Sequence, residues 1–271
     1  MTMMLPTTFS MLFLMPLGCP PEEPPQPPAE PVASASKDSV RGLLDQAERV
    51  AATLESWTRP ALYRTENDLT GDSVLRTGWI SWRRLQDNVT VGLLLEWEVV
   101  DRARRKKVKD FILQGPFLWE VEHEGKLRIK RRLSTDDSAT TLGALGRGPL
   151  PLPIGMSADA VLAKFSVTEG IRPDVGVLAK IQDEGVRYLR FTPKDGTPAA
   201  DEMDHAVVAY MPDGLPRGVR VERLNGDVRE GRFDPIREGQ SPPSDLNQRM
   251  DPGTAPREGW TIQEPLIESD G

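Results

Sequence analysis

The sequence predicts an α+β fold built on one antiparallel sheet, and three observations carry that prediction. From Ala61 to Leu133 apolar and polar residues alternate with period two, interrupted by turn formers at Gly71, Gly115-Pro116 and Glu124-Gly125. From Val186 to Phe233 further strand-like runs follow one another with no helical pattern between them. A long amphipathic helix precedes the first block, and a short one separates the two. Consecutive strands joined by short turns pair antiparallel, and the apolar face they create must be covered.

The elements can be justified in chain order. Met1 to Gly18 carries no charged side chain and holds a short apolar run, Met11-Leu-Phe-Leu-Met15, ahead of Pro16-Leu17-Gly18-Cys19. That run is too short to span a bilayer and suits the core of an export signal, so residues 1–18 are expected to be one. A small residue directly before the only cysteine resembles a bacterial lipoprotein signal, in which Cys19 becomes the acylated N-terminus. An ordinary signal peptide with an incidental cysteine is the other reading. Residues 19–36 then form a tether. Pro20 to Pro31 holds seven prolines in twelve residues and no apolar face, which predicts a polyproline II spacer on the order of 35 Å long.

The folded domain is expected over residues 37–264. Asp38 is a candidate N-cap, and Val40, Leu43, Leu44, Ala47, Val50, Ala51, Leu54 and Trp57 follow on one helical face until Pro60. Strands are predicted at Ala61 to Glu66, Val74 to Arg84, Val89 to Val100, Lys107 to Leu113, Phe117 to His123 and Lys126 to Leu133. In the last of these Leu127, Ile129 and Leu133 alternate with Arg128, Lys130 and Arg132, so one face is dry and the other wet. Ser134 to Pro153 reads as a loop. A short helix follows with Ser157 as N-cap, Asp159 in its first turn, and Val161, Leu162 and Phe165 facing the sheet. Strands are then predicted at Val175 to Gln182, at Val186 to Phe191, from Ala206 toward the turn at Asp213-Gly-Leu-Pro216, and at Asp227 to Phe233. Gly259-Trp-Thr-Ile262 suggests a last short strand, and residues 265–271 a tail.

Composition narrows the function. The chain has 271 residues, 38% of them hydrophobic, and a net charge of −7. One domain of roughly 200 residues with flanking segments fits that length. The acidic balance argues against nucleic acid as a partner. A single cysteine excludes an intramolecular disulfide, and with only His123 and His205 present a catalytic or metal cluster is not expected.

Several segments together resemble one family. They are Gly78-Trp-Ile-Ser-Trp-Arg-Arg84, Leu113-Gln-Gly-Pro-Phe-Leu-Trp-Glu-Val121, Leu189-Arg-Phe-Thr-Pro-Lys194, Asp213-Gly-Leu-Pro216 and Pro256-Arg-Glu-Gly-Trp260. In order and spacing they resemble the periplasmic lipoprotein carrier and outer-membrane lipoprotein receptor superfamily, over about Asp38 to Glu264. The stretch from Val89 to Lys109 departs from the family pattern in being longer and more charged. The resemblance implies an incomplete antiparallel β-barrel, a strongly curved sheet wrapped around a few helices, with an apolar cavity that shields acyl chains. It implies binding without catalysis, no cofactor, and lipoprotein acyl chains or other lipids as ligands. Lipoprotein-sorting proteins of the inner or outer membrane are the implied partners. A monomer on the periplasmic side of the bacterial envelope, anchored through Cys19, is expected. Arg84 corresponds to a family arginine that helps hold the helical lid, with Arg83 as the neighbour that could take its place.

Each remaining feature has a plainer reading beside it. Trp79, Trp82, Trp97 and Trp119 could line an acyl pocket or could simply be core. Arg102-Ala-Arg-Arg-Lys-Lys-Val-Lys109 could touch anionic headgroups or an acidic partner, but a solvated hairpin turn is expected. Asp201, Glu202, Asp204 and His205 could hold a metal, but a solvated loop is expected. Asn88-Val-Thr90 fits a glycosylation pattern that carries no meaning behind a bacterial export signal. An envelope sensor or scaffold that binds a protein partner on the same fold is the alternative function. A hydrolase ranks behind both for want of a triad.

Overall fold

A computed structural model describes residues 37–85, 88–133, 156–253 and 259–264. The export signal, Cys19, the proline-rich tether, the 134–153 loop and the C-terminal tail lie outside the described residues. Among the described residues twelve strands form one sheet, an open and strongly curved unclosed barrel, with three helices. The predicted α+β class and curved antiparallel sheet are therefore present.

Helix α1 (Lys37–Thr53) forms because Val40, Leu43, Leu44 and Ala51 recur on one face and are buried there. It stops earlier than predicted. Trp57 and Pro60 belong instead to strand β1 (Ser56–Glu66). Pro60 is tolerated because its backbone faces the side where the neighbouring strand has just ended: its carbonyl accepts from Asp234 N at 2.9 Å, whereas strand pairing begins only at Ala61.

Strands β2 (Ser73–Leu85), β3 (Asn88–Val100), β4 (Ala103–Gln114), β5 (Phe117–Glu122) and β6 (Leu127–Arg132) follow as a meander. The basic run is not the solvated turn expected of it. Only Asp101 and Arg102 form the turn, at φ 49° and 66°, as a two-residue hairpin with both central residues left-handed requires. Ala103 to Lys109 is strand, paired to β3 through partners such as Glu98–Arg105 and Trp97–Lys106.

Helix α2 (Ala158–Lys164) carries the predicted cap, with Ala160 N donating to Ser157 Oγ at 3.1 Å. It leads into strand β7 (Phe165–Glu169), which takes Phe165 out of the predicted helix. The strand predicted at Val175 to Gln182 is absent; a loop with a single 3₁₀ turn, Leu178–Lys180, takes its place. Gly176 at φ 84° and the bond from Val177 N to Glu230 Oε2 at 2.8 Å hold that backbone away from any ladder. Strands β8 (Arg187–Pro193), β9 (Met203–Tyr210), β10 (Pro216–Arg223) and β11 (Val228–Phe233) complete this half, and β11 returns to pair with β1. Strand β10 has no counterpart among the predicted strands, because Pro216 and Gly218 obscure the alternation of Val219 and Val221. Helix α3 (Leu246–Arg249) precedes strand β12 (Thr261–Gln263), which pairs parallel to β6.

The principal core lies inside the curve. Leu43, Leu44 and Val161 from the helices meet Trp82, Leu95, Phe165, Phe191, Val208 and Phe233 from the strands. On the outer face two loop segments cover the sheet. Val177, Leu178 and Ile181 pack on Ala209, and Met250 packs on Leu94, Ile112, Trp119 and Val121.

Candidate functional site

Beyond the helices the inside of the curve holds a cavity of about 520 Å³, within the range of about 300–1,000 Å³ usual for small-molecule pockets. Its apolar floor comes from Tyr63, Phe111 and Leu118, with the Tyr63 and Phe111 rings edge to face at 6.5 Å. Strand alternation brings them to one side: Phe111 sits opposite Glu120 on β5, and Tyr63 opposite Arg76 on β2. Burial pushes the Tyr63 hydroxyl above its ordinary pKa.

The walls are charged, so this cavity is more polar than the apolar chamber the resemblance implies. Arg76, Lys109, Arg131, Arg223 and Arg229 face Glu120 and Glu202. Most of these charges are paired. Lys109 Nζ lies 2.5 Å from Glu120 and 3.0 Å from Glu122, Arg131 lies 3.5 Å from Glu120, and Arg223 lies 3.3 Å from Glu202. The lining is an apolar floor inside a ring of cations and carboxylates.

The residues singled out in the sequence are dispersed. Arg84 sits at the end of α1, where its Nη2 donates to the Ala51 carbonyl at 2.7 Å while its backbone N donates to Glu55 O at 2.9 Å. A cation at a helix C-terminus also meets the negative end of the helix dipole. Arg83 points to the opposite face and donates to Asn247 Oδ1 at 3.2 Å. Trp82 is fully buried in the inner core. Trp119 belongs to the outer cluster beneath Met250. Trp79 and Trp97 line an open outer-face pocket of about 670 Å³, with Arg104 stacked 4.2 Å over Trp97. The four tryptophans therefore do not share one pocket.

Comparison with known proteins gives distant likenesses alone. No family model matches the chain, and no curated protein does. Solved structures do. An uncharacterized conserved protein from Thermus thermophilus is similar at 7% identity and a TM-score of 0.41, over 83% of this chain and 99% of that one. A putative outer membrane lipoprotein-sorting protein domain from Vibrio parahaemolyticus is similar at 11% identity and a TM-score of 0.34, over 77% and 96%. A LolA superfamily protein from Nitrosomonas europaea is similar at 10% identity and a TM-score of 0.31, over 72% and 91%.

Two further polar groups lie outside this cavity. Asp204, His205 and Glu222 place one ligand atom each within 4.8 Å of one another across β9 and β10. The two carboxylates flank opposite ring nitrogens, with Asp204 2.7 Å from Nδ1 and Glu222 3.9 Å from Nε2. Arg220 holds Glu222 at 3.0 Å and Arg190 lies 3.9 Å from Asp204, so the group is built as a ladder of ion pairs. Glu202, read in the sequence as part of this set, turns to Arg223. On the outer face a pocket of about 450 Å³ is lined by His123, Arg128, Arg249 and Trp260, with the two aromatic rings edge to face at 5.6 Å. Among the described residues no helix is long and apolar enough to cross a membrane.

Proposed function

We propose that the protein is a non-enzymatic binding protein of the bacterial envelope that takes the acyl chain of a lipoprotein or other lipid into the curve of its sheet. The observation that carries this reading is the lining of the inner cavity: Tyr63, Phe111 and Leu118 offer a surface for hydrocarbon inside a mouth of paired charges, where a polar head group could sit. Each methylene buried on such a floor contributes about 0.8 kcal/mol, so a chain supplies much of its own affinity. Arg84, by tying the end of α1 to β2, would hold the helical cover over the sheet. Cys19 would anchor the monomer to a membrane on the periplasmic side.

A second reading, an envelope sensor or scaffold, is favoured by the same walls. Carboxylates interleaved with cations suit a polypeptide segment better than they suit a bare acyl chain. Native mass spectrometry of the exported Cys19→Ser chain, purified without detergent, separates the two. A co-purifying acyl lipid is the expected result. A bare protein mass that takes up no added fatty acid would transfer the proposal to the protein-binding reading.

A further inference from the structure

The first half of β4 is an open edge within the sheet. Pairing with β5 begins only at Lys109, opposite Glu122, and the last backbone bond on that side runs from His123 N to Val108 O at 3.2 Å. Ala103 to Lys106 is exposed, and among the described residues no strand lies on its far side. In a two-residue hairpin the closing pair, here Val100 and Ala103, exchanges both backbone bonds. The backbone groups of Arg104 and Lys106 therefore face outward, in the same sense as the Val108 carbonyl.

This edge is strongly basic and in excess of its counter-charge. On one side of the strand Arg104 and Lys106 flank Trp97, and among the described residues neither has a carboxylate partner. On the other side Arg105 and Lys107 share a single buried carboxylate, Glu98, with Arg76. Asp101 stands at the hairpin tip, and Glu96, Asp234 and Glu238 line the outer pocket together with Arg104.

We infer that the Ala103–Lys107 edge is a docking site for an acidic, extended polypeptide segment of a partner, added as a strand. Free backbone donors and acceptors would supply affinity, and cations on both sides of the strand would select charge. The distribution of those cations favours a strand over a lipid surface. A flat bilayer meets only one side of β4, whereas side chains of an added strand alternate and meet both rows. The free edge would also gain nothing from headgroups that water does not already give it.

The test uses the full chain and a fluorescein-labelled peptide, Thr-Glu-Glu-Val-Glu-Glu-Thr, with its Gln-for-Glu counterpart and vesicles containing anionic phospholipid as comparisons. Saturable binding of the acidic peptide is expected, weakened about tenfold or more by Arg104→Glu with Lys106→Glu, with amide exchange slowed at Arg104 and Lys106. Lys106→Pro, which removes one outward N–H, should also weaken binding while the far-ultraviolet circular dichroism stays unchanged. Absence of peptide binding, binding without protection of those two amides, or binding of the vesicles alone would each overturn the proposal.

Discussion

Arg249 forks onto the buried carboxylate of Asp110, its Nε 3.1 Å from Oδ2 and its Nη2 bonded to Oδ1. His123 Nε2 approaches the same Oδ2 at 2.7 Å, and Arg249 Nη2 also reaches the Leu95 carbonyl at 3.3 Å. This pair fastens α3, and Met250 with it, to the outer face of β3 and β4.

Both partners are buried, so removing one leaves the other under-paired. Asp110→Ala should destabilise the fold by about 3 kcal/mol, because the buried guanidinium loses its bidentate partner and keeps the more distant Glu96, at 3.4 Å. Asp110→Leu combined with Arg249→Met should recover most of that loss. Urea unfolding of the three variants checks it, and a double variant no better than the single would show that the pair does more than neutralise itself.

Arg84 makes a charge-assisted bond to the end of α1. Arg84→Leu should cost about 1.5–3 kcal/mol, and Arg84→Lys less, read as a lower thermal midpoint. If Arg84 also holds the cover over bound lipid, Arg84→Leu shortens ligand residence more than its stability loss accounts for. Ligand off-rates measured beside thermal unfolding distinguish the two effects.

Glu98 sets an acid limit. Burial pushes its carboxyl up, but bonds from Arg105 at 2.8 Å and Arg76 at 2.7 Å, with the charge of Lys107, outweigh burial and hold it below the ordinary carboxylate range. A carboxyl more acidic in the folded state than in the unfolded chain stabilises fully above its unfolded value, about 4.3. That contribution disappears as pH falls through the lower folded value. Glu98→Gln should therefore flatten this part of the acid-unfolding curve, which stability measured across acidic pH would reveal.

Tyr210 lies buried in the core with a hydroxyl that has no partner among the described residues, and burial pushes its ionisation well above the ordinary range. An unsatisfied buried hydroxyl costs free energy that a phenyl ring does not. Tyr210→Phe should leave stability unchanged or raise it by about 1 kcal/mol. A clear loss in chemical denaturation would mean that the hydroxyl has a partner in solution.

Patterns that act over a few residues were legible in the chain. The alternation of Leu127, Ile129 and Leu133 placed β6, the apolar spacing from Val40 placed α1, and Ser157 capped α2 as its type and position require. These depend on backbone geometry and local hydrogen bonding, which the neighbouring residues set by themselves. The sequence alone thus determined the α+β class, most strands, and the resemblance to a carrier fold.

Partners distant in sequence decided the rest. Val175 to Gln182 has the composition of a strand, but Glu230, far along the chain, captures the Val177 amide and makes it a loop. Pro60 reads as a stop, yet it lies within β1 because β11 ends beside it. The four tryptophans fall on opposite faces because one residue of register separates inside from outside. Whether the inner cavity is oily or charged depended on Arg223 and Arg229 reaching the same space as Lys109 and Arg131. Only the closure of the β1–β11 pair brings those strands within reach of one another, and no periodicity within either half encodes that distance.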